Sequence, residues 1–313
     1  MKHGLVMEGG AMRGLFTAGV IDVLMEQNIV FDGAIGVSAG AVFGCNYKSH
    51  QIGRVLRYNL AYCQDPRYCS MRSLVRTGDL FGADFCYRQI PDVLDVFDTE
   101  TYAASPMDFY VVGTDVRSGR AVYHNCLKGD REDMDWFRAS ASMPLAAQIV
   151  PVGNRNLLDG GIADSIPLRF MQAQGYEKNL VILTQPLDYV KKKNKLMPMM
   201  KVVYRQYPNL IQTMAKRQDV YNEATAYVRA QEEAGKVFVI RPAAPLDIHR
   251  VEHDKEKIQA VYDLGRAAAE EQLAALRAFL QDAPDQAEQI DGVEVVPPAP
   301  QPEEAAADAA PEN

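Results

Sequence analysis

The apolar positions at the start of the chain follow two patterns in turn. Residues 4–8 form a short apolar run that ends in a glycine-rich turn, and apolar side chains then recur about every 3.6 residues from Leu15 to Leu24. This second pattern predicts a helix that stops near Asn28. A strand-like run at 29–37 follows, and small residues begin another helix after it. The order β–turn–α–β–turn–α is typical of a parallel sheet with helices packed on it.

The rest of the chain extends the same α/β architecture. Further strands are predicted at 108–114, 120–124, 155–158, 179–184 and 236–241. The segment 255–281 is rich in Ala, Leu, Glu and Arg, which are strong helix formers, so it predicts a long helix. We therefore expect an α/β fold with a mostly parallel central sheet and a helix-rich C-terminal extension.

Composition and charge divide the chain into three predicted parts. Of 313 residues, 48% are apolar and 24% charged, which excludes a collagenous, coiled-coil or wholly disordered protein. Residues 283–313 contain eight acidic residues, no basic one and six of the 17 prolines, so we predict a disordered acidic tail there. A boundary near the lysine run that starts at 191 separates a main domain, 1–190, from a mainly helical extension, 191–282. This extension either completes the sheet or forms a lid.

The charge balance and the cysteines restrict the partners and the compartment. The eight acidic residues of the tail account for the whole net charge of −8, so the folded body is formally neutral and nucleic acid is not an expected partner. The five cysteines include no CxxC pair and indicate reduced thiols. No apolar signal-peptide core follows Met1–Gly4, and no run of about 18 apolar residues is present. These features predict a cytoplasmic protein; its oligomeric state is not predicted.

The sequence Gly36-Val37-Ser38-Ala39-Gly40 fits the pattern G-x-S-x-G between a predicted strand and a predicted helix. A serine on so sharp a turn projects its hydroxyl at the carboxyl edge of the sheet. The Ala39 amide and the start of the helix then favour negative charge beside Ser38. The alternative is a purely structural Gly-Ser-Gly turn. The later histidines lie in no recognisable catalytic setting, so the base for Ser38 is not predicted to be a histidine.

Residues 9–14 (Gly9-Gly10-Ala11-Met12-Arg13-Gly14, the glycine-rich loop) admit two interpretations. One is a dinucleotide-binding turn with Asp32 as the ribose-binding acid. However, Asp32 precedes its strand instead of ending it, and Ala11 replaces the second motif glycine. The other interpretation is an oxyanion hole, in which successive backbone amides face a developing alkoxide, and Ser38 is correctly placed to supply one.

Asp159-Gly160-Gly161 follows an apolar run and marks a third candidate position. An aspartate at the end of a strand can project its carboxylate while the two glycines turn the backbone away. In isolation, the same sequence also fits an ordinary Asx turn.

Taken together, G-G-A-M-R-G at 9–14, G-V-S-A-G at 36–40 and D-G-G at 159–161 resemble the motifs of the patatin-like phospholipases. Residues 139–144 and 113–116 support the resemblance, which covers roughly residues 4–185. It is closest to the bacterial branch with a long C-terminal extension. The resemblance implies a three-layer α/β/α fold and hydrolysis of fatty-acyl esters by a serine–aspartate dyad without metal or cofactor.

Each implied role falls on a residue of this chain. The resemblance makes Ser38 the nucleophile and Asp159 the base. It makes Gly9, Gly10 and Ala11 the donors of the oxyanion hole. The family has glycine where this chain has Ala11, and an alanine there is strained if the loop requires a positive φ. The supporting motif positions are Met12, Arg13, Gly14, Gly36, Ala39, Gly40, Gly160 and Gly161.

Two groups of basic residues are candidates for lipid contact. The run Lys191–Lys195 precedes a Met-rich apolar segment, so it predicts either transient docking on an anionic membrane surface or a solvated loop. Four arginines are candidates to bind a phosphate head group, or are ordinary surface residues: Arg67, Arg72, Arg76 and Arg88.

The leading hypothesis is a serine lipid acyl hydrolase of the phospholipase A, lysophospholipase or esterase type. Capture of the acyl group by an alcohol instead of water is a variant of it. The alternatives are a non-catalytic lipid-binding or scaffold protein of the same fold, and a nucleotide-binding α/β protein.

Overall fold

The computed structural model describes residues 1–281, and the predicted disordered tail, 283–313, lies outside them. Eight strands form one sheet: β1 (Lys2–Met7), β2 (Gly33–Val37), β3 (Asp108–Asp115), β4 (Ala121–Asn125), β5 (Val150–Val152), β6 (Arg155–Asp159), β7 (Tyr176–Ile182) and β8 (Val237–Ile240). The α-helices of this part of the chain are α1 (Gly14–Glu26), α2 (Ala39–Lys48), α3 (Arg54–Tyr62), α4 (Met71–Thr77), α5 (Thr99–Ala104), α6 (Arg131–Ser140), α7 (Leu168–Ala173), α8 (Met197–Val203), α9 (Pro208–Glu233) and α10 (Lys255–Gln281). Short 3₁₀ turns cover Ala11–Arg13 and Gly160–Ile162, and a π-helical segment covers Phe85–Leu94.

The centre of the sheet is parallel, as predicted. The strand order is β5-β6-β3-β2-β1-β7-β8, and β4 pairs with β3. The five strands β3, β2, β1, β7 and β8 are mutually parallel, whereas β4, β5 and β6 pair in antiparallel fashion at the β3 side. The extension therefore adds the strand β8 to the parallel sheet.

Helices cover both faces of the sheet and give three layers. Alternate residues of β1 separate the two cores: Leu5 and Met7 belong to the cluster that includes α1, α2 and α10, and Val6 belongs to the cluster that includes α7 and α9. This alternation follows from the period of two along a strand. The architecture is the predicted three-layer α/β/α fold.

The second strand begins later than the sequence pattern predicts. Ile29, Val30, Phe31 and Asp32 precede β2, and α1 ends at Glu26 before Asn28, whose φ is 52°. The exposed Asp32 carboxylate accepts the His3 amide at the amino ends of β1 and β2. Because the glycine-rich loop follows the carboxyl end of β1, Asp32 lies at the opposite edge of the sheet. This position is incompatible with the dinucleotide-binding interpretation.

Among residues 1–281, no helix combines the length and the apolar character needed to cross a bilayer.

Candidate active site

Ser38 lies on a strained turn between β2 and α2. Its φ of 55° and ψ of −122° fall outside the regions that side-chain-bearing residues usually occupy. A Cβ on Gly40 would lie 2.3 Å from the Met7 carbonyl oxygen, so only glycine allows α2 to begin this close to β1. The Ser38 amide donates to the Ser140 hydroxyl at 2.9 Å. The turn is thereby fixed with the Ser38 hydroxyl beside the end of the parallel strands.

Asp159 reaches Ser38 through the register of the sheet. Strand β6 runs antiparallel to β3 with Asp159 opposite Gly113, and the preceding Val112 pairs with Val37 of β2. Residues that are 121 positions apart in the chain thus become neighbours: Ser38 Oγ donates to Asp159 Oδ2 at 2.7 Å. The exposed fractions of Ser38 and Asp159 are only 7% and 4%.

The surroundings of Asp159 act on its carboxyl group in opposite directions. Burial raises its pKa above the ordinary aspartate value, and the nearby Arg217 guanidinium lowers it. Hydrogen bonds from the Ser38 hydroxyl and the Gly161 amide, the latter to Oδ1 at 2.8 Å, also favour the ionised form. The net shift is upward, so the carboxylate is a stronger base than a free aspartate.

The glycine-rich loop packs against the Ser38 turn. A Cβ on Gly9 would lie 2.8 Å from Ser38 Cβ, so there is no room for a side chain between the loop backbone and Ser38. The preceding Glu8 is buried and holds the start of the loop, because its carboxylate accepts the Thr184 amide at 2.6 Å and the Tyr221 hydroxyl at 2.6 Å. In residues 1–281 the amides of Gly9, Gly10 and Ala11 have no hydrogen-bond acceptor. Free amides beside a serine hydroxyl can bind an oxyanion.

Ala11 occupies a left-handed backbone conformation, with a φ of 50°. Replacement by glycine relieves a strain of about 1–2 kcal/mol in the folded state. It also destabilises the folded state by about 0.5–1 kcal/mol, because glycine loses more backbone entropy than alanine on folding. We therefore expect Ala11→Gly to raise the free energy of unfolding by up to about 1 kcal/mol, measured by urea denaturation. The matched control is Ala39→Gly in α2, where we expect a loss of about 0.5–1 kcal/mol. Equal losses in both variants would contradict the strain at Ala11.

The remaining motif residues surround the Ser38–Asp159 pair. Met12, Gly14, Gly36, Gly160 and Gly161 are all buried. A Cβ on Gly160 would lie 2.2 Å from the Val112 carbonyl oxygen, which explains the glycine after Asp159. Among residues 1–281, Arg13 Nε is buried without a hydrogen-bond partner.

Two cavities meet at Ser38, and both are lined by Ala11, Ser38 and Met143. The first, the apolar cavity, has mostly aromatic and aliphatic walls, which include Val42, Phe43, Tyr58, Tyr68, Phe81, Tyr87, Ile90, Phe97, Met134 and Phe137. The second, the polar cavity, includes Asp159 and the cationic residues Arg13, Lys191, Arg217 and Arg250.

The sequence analysis did not identify two of the four cationic residues of the polar cavity. Arg217 lies on α9 and Arg250 in the loop before α10, and no motif marks either position. The four arginines that were candidates for a phosphate head group line neither cavity. Arg67 instead pairs with Asp65 at 2.7 Å, and Arg88 with Asp135 at 2.8 Å. Of the lysine run, Lys191 lines the polar cavity.

Fold and site together define a class: three-layer α/β/α proteins in which a serine after the second strand meets a buried aspartate at the edge of the sheet. Comparison with known families agrees. Residues 5–171 match the family described as patatin-like phospholipase, and residues 207–281 match a domain of unknown function, DUF6363. The first match covers more than half of the chain. The protein belongs to the patatin-like phospholipase family.

Individual relatives are distant. The chain is 28% identical over 293 residues to the uncharacterized protein YjjU of Escherichia coli, covering 90% of this chain and 80% of that one. It is 26% identical over 196 residues to lysophospholipase NTE1 of Chaetomium globosum, covering 59% of this chain and 12% of that much longer protein. The structure of VipD from Legionella pneumophila is similar over 88% of this chain and 67% of that one, with a TM-score of 0.44 and 13% identity.

Proposed function

We propose that the protein is a serine lipid acyl hydrolase that cleaves fatty-acyl esters with Ser38 as nucleophile and Asp159 as base. The 2.7 Å hydrogen bond from Ser38 Oγ to Asp159 Oδ2 carries the proposal, because a serine hydroxyl is a poor nucleophile without a positioned base. The apolar cavity that opens at Ser38 supports an acyl chain as the substrate group. Family membership and the similarity to a lysophospholipase support the same reaction class.

The proposed reaction has two steps. Ser38 Oγ attacks the ester carbonyl carbon while Asp159 takes its proton. The amides of Gly9, Gly10 and Ala11 donate to the resulting oxyanion. The tetrahedral intermediate collapses to acyl-Ser38, and Asp159 returns the proton to the leaving alcohol. Asp159 then takes a proton from water, which attacks the acyl carbon. The second tetrahedral intermediate collapses as Asp159 returns that proton to Ser38 Oγ, and the fatty acid leaves. Positioned bases and oxyanion donors each contribute about 10²–10³-fold or more.

The proposal assigns a part to each region of the chain. Residues 1–190 form the catalytic domain. The extension, 191–282, contributes β8 to the sheet and Lys191, Arg217 and Arg250 to the polar cavity. The five cysteines are unpaired, which supports action in the cytoplasm. Because lipid esters reside in membranes, the proposal includes transient contact with a membrane surface. The positive charges of the run Lys191–Lys195 would attract an anionic surface.

A panel of short- and medium-chain acyl esters and a lysophospholipid tests the proposal. We expect release of fatty acid by the wild-type protein without added metal or cofactor. Binding of these esters without turnover would instead support the non-catalytic alternative, a lipid-binding protein of the same fold.

The acid limb of the pH profile is set by Asp159. The carboxylate acts as a base only when ionised, so kcat/KM should fall as the pH decreases through its pKa, which burial raises above the ordinary value. Since the Arg217 charge lowers this pKa, Arg217→Gln should move the acid limb to higher pH. The control is Arg217→Lys, which keeps the charge and should leave the limb nearer its wild-type position. Initial rates of ester hydrolysis across the pH range measure both, and a shift to lower pH in Arg217→Gln would refute the assignment.

A further inference from the structure

Four cationic side chains converge on the polar cavity beside the Ser38–Asp159 pair. They are Arg13 from the glycine-rich loop, Lys191, Arg217 from α9 and Arg250. Within the part of the chain that the structure describes, none of them forms an ion pair with a carboxylate within 4.0 Å. Several other arginines, such as Arg57 with Asp95, are paired with a carboxylate. The four cations of the polar cavity instead share one cavity lining.

Packing holds two of these cations in place. Arg217 Nε donates to the Gly161 carbonyl at 2.5 Å, two residues beyond Asp159. The Lys191 ammonium lies 3.7 Å from the centroid of the Tyr221 ring. The Lys191 backbone donates to Asn222 Oδ1 at 2.8 Å and accepts from Asn222 Nδ2 at 3.1 Å. Arg217 and Lys191 are therefore held in place by α9. We refer to the four cationic residues together as the cationic wall.

The local charge balance is positive. Burial and the neighbouring charges of Arg217, Arg13 and Arg250 together lower the pKa of Lys191 to about 8, while Glu8 acts in the opposite direction. Glu8 itself is engaged by Tyr221 and Thr184. The Arg13 Nε is buried without a partner. An anion in the cavity would offset this repulsion between the cations.

The position of the cations relative to Ser38 indicates what the anion belongs to. The apolar cavity lies on one side of Ser38 and the cationic wall on the other. With the acyl chain in the apolar cavity and the ester carbon at Ser38, the alcohol half of the ester lies against the cations. A net negative head group fits this wall, whereas the quaternary ammonium of a zwitterionic choline head group is repelled by it.

We propose that Arg13, Lys191, Arg217 and Arg250 form a binding site for the phosphate of an acyl-glycerol phosphate, so that the protein selects acyl esters with an anionic head group over neutral and zwitterionic ones. This selectivity rests on the proposed function, because it concerns the alcohol half of the ester that Ser38 cleaves. Three of the four residues lie outside the part of the chain that matches the patatin-like family.

Selectivity is measured with three esters that share one short acyl chain: an acyl-glycerol 3-phosphate, a monoacylglycerol and a lysophosphatidylcholine. We expect kcat/KM to be at least about tenfold higher for the phosphate monoester, since hydrogen bonds to charged groups are individually of that size. Lys191→Gln and Arg250→Gln should each reduce this ratio by about tenfold or more. The control Lys193→Gln removes a charge from the same lysine run outside the cavity and should keep the ratio. Equal kcat/KM for the three esters in the wild type would overturn the proposal.

A binding measurement separates this proposal from the proposed function. Calorimetry on the Ser38→Ala variant, which cannot hydrolyse an ester, should detect binding of glycerol 3-phosphate. When Lys191→Gln is added to this variant, the binding should become about tenfold weaker. When Lys193→Gln is added instead, the binding should not change. Inorganic phosphate should bind more weakly, because it lacks the glycerol that lies towards Ser38. Absent binding, or equal binding of inorganic phosphate, would reject the head-group site. If glycerol 3-phosphate binds but the wild-type protein hydrolyses no ester, the result would contradict the proposed function. It would still support the head-group site.

Discussion

Replacing Ser38 by alanine is expected to lower kcat/KM for a short acyl ester by roughly 10⁴–10⁶-fold, the loss seen when a nucleophile is removed. The change deletes one oxygen atom and leaves the Cβ. The turn at residue 38 therefore keeps its backbone conformation and the hydrogen bond from its backbone amide to the Ser140 hydroxyl. Initial rates measure the effect, and thermal unfolding establishes that the variant is folded.

The control for this variant is Ser49→Ala. Ser38 directly precedes α2 and Ser49 directly follows it, so the same substitution is made at the two ends of one helix. Ser49 is buried, its hydroxyl lies within hydrogen-bond distance of the Asn46 carbonyl and Gln51 Oε1, and it lines neither cavity. We expect hydrolysis to be retained in Ser49→Ala. More than about 1% residual activity in Ser38→Ala would exclude Ser38 as the nucleophile.

Replacing Asp159 by asparagine is expected to lower kcat/KM by about 10²–10⁴-fold, the contribution of a positioned general base. The amide has almost the same shape and can still accept the Gly161 amide hydrogen through its oxygen. It cannot take the Ser38 proton. The KM should change far less than kcat, because Asp159 acts on the proton of the serine and not on the acyl chain.

Asp164→Asn is the matched control for the base. Asp164 lies five residues further on, accepts the Tyr123 hydroxyl at 2.8 Å and lines neither cavity. Burial raises the pKa of Asp164 as it does that of Asp159, so the two carboxyls differ in position more than in environment. A similar loss of kcat in both variants would indicate a general effect on the fold, and would remove the support for Asp159 as the base.

The strands with a strong apolar pattern could be predicted from the sequence. Seven of the eight strands in residues 1–281 coincide with predicted segments, because each is a run of apolar or alternating residues bounded by turn residues. The strand β5 was missed: it has three residues, one of them Pro151, and is too short for a pattern. The π-helical segment Phe85–Leu94 was also missed, since Pro91 inside it argues against a helix.

The site was only partly predictable. The order of the three motifs led to Ser38, Asp159 and the glycine-rich loop, and the suspected strain at Ala11 appears as its φ of 50°. The cationic wall could not be predicted, because Arg217 and Arg250 come from a helix face and a loop whose sequences resemble ordinary surface. Only the packing of α9 against the 3₁₀ turn after Asp159 brings Arg217 to the site.

The central claim is that Ser38 is activated by Asp159, and labelling with a fluorophosphonate followed by intact-mass and peptide analysis tests it most directly. We predict a single adduct on wild-type protein that maps to Ser38, is absent in Ser38→Ala and forms much more slowly in Asp159→Asn. No adduct on the folded wild-type protein, or an adduct on another residue that persists in Ser38→Ala, would contradict the claim.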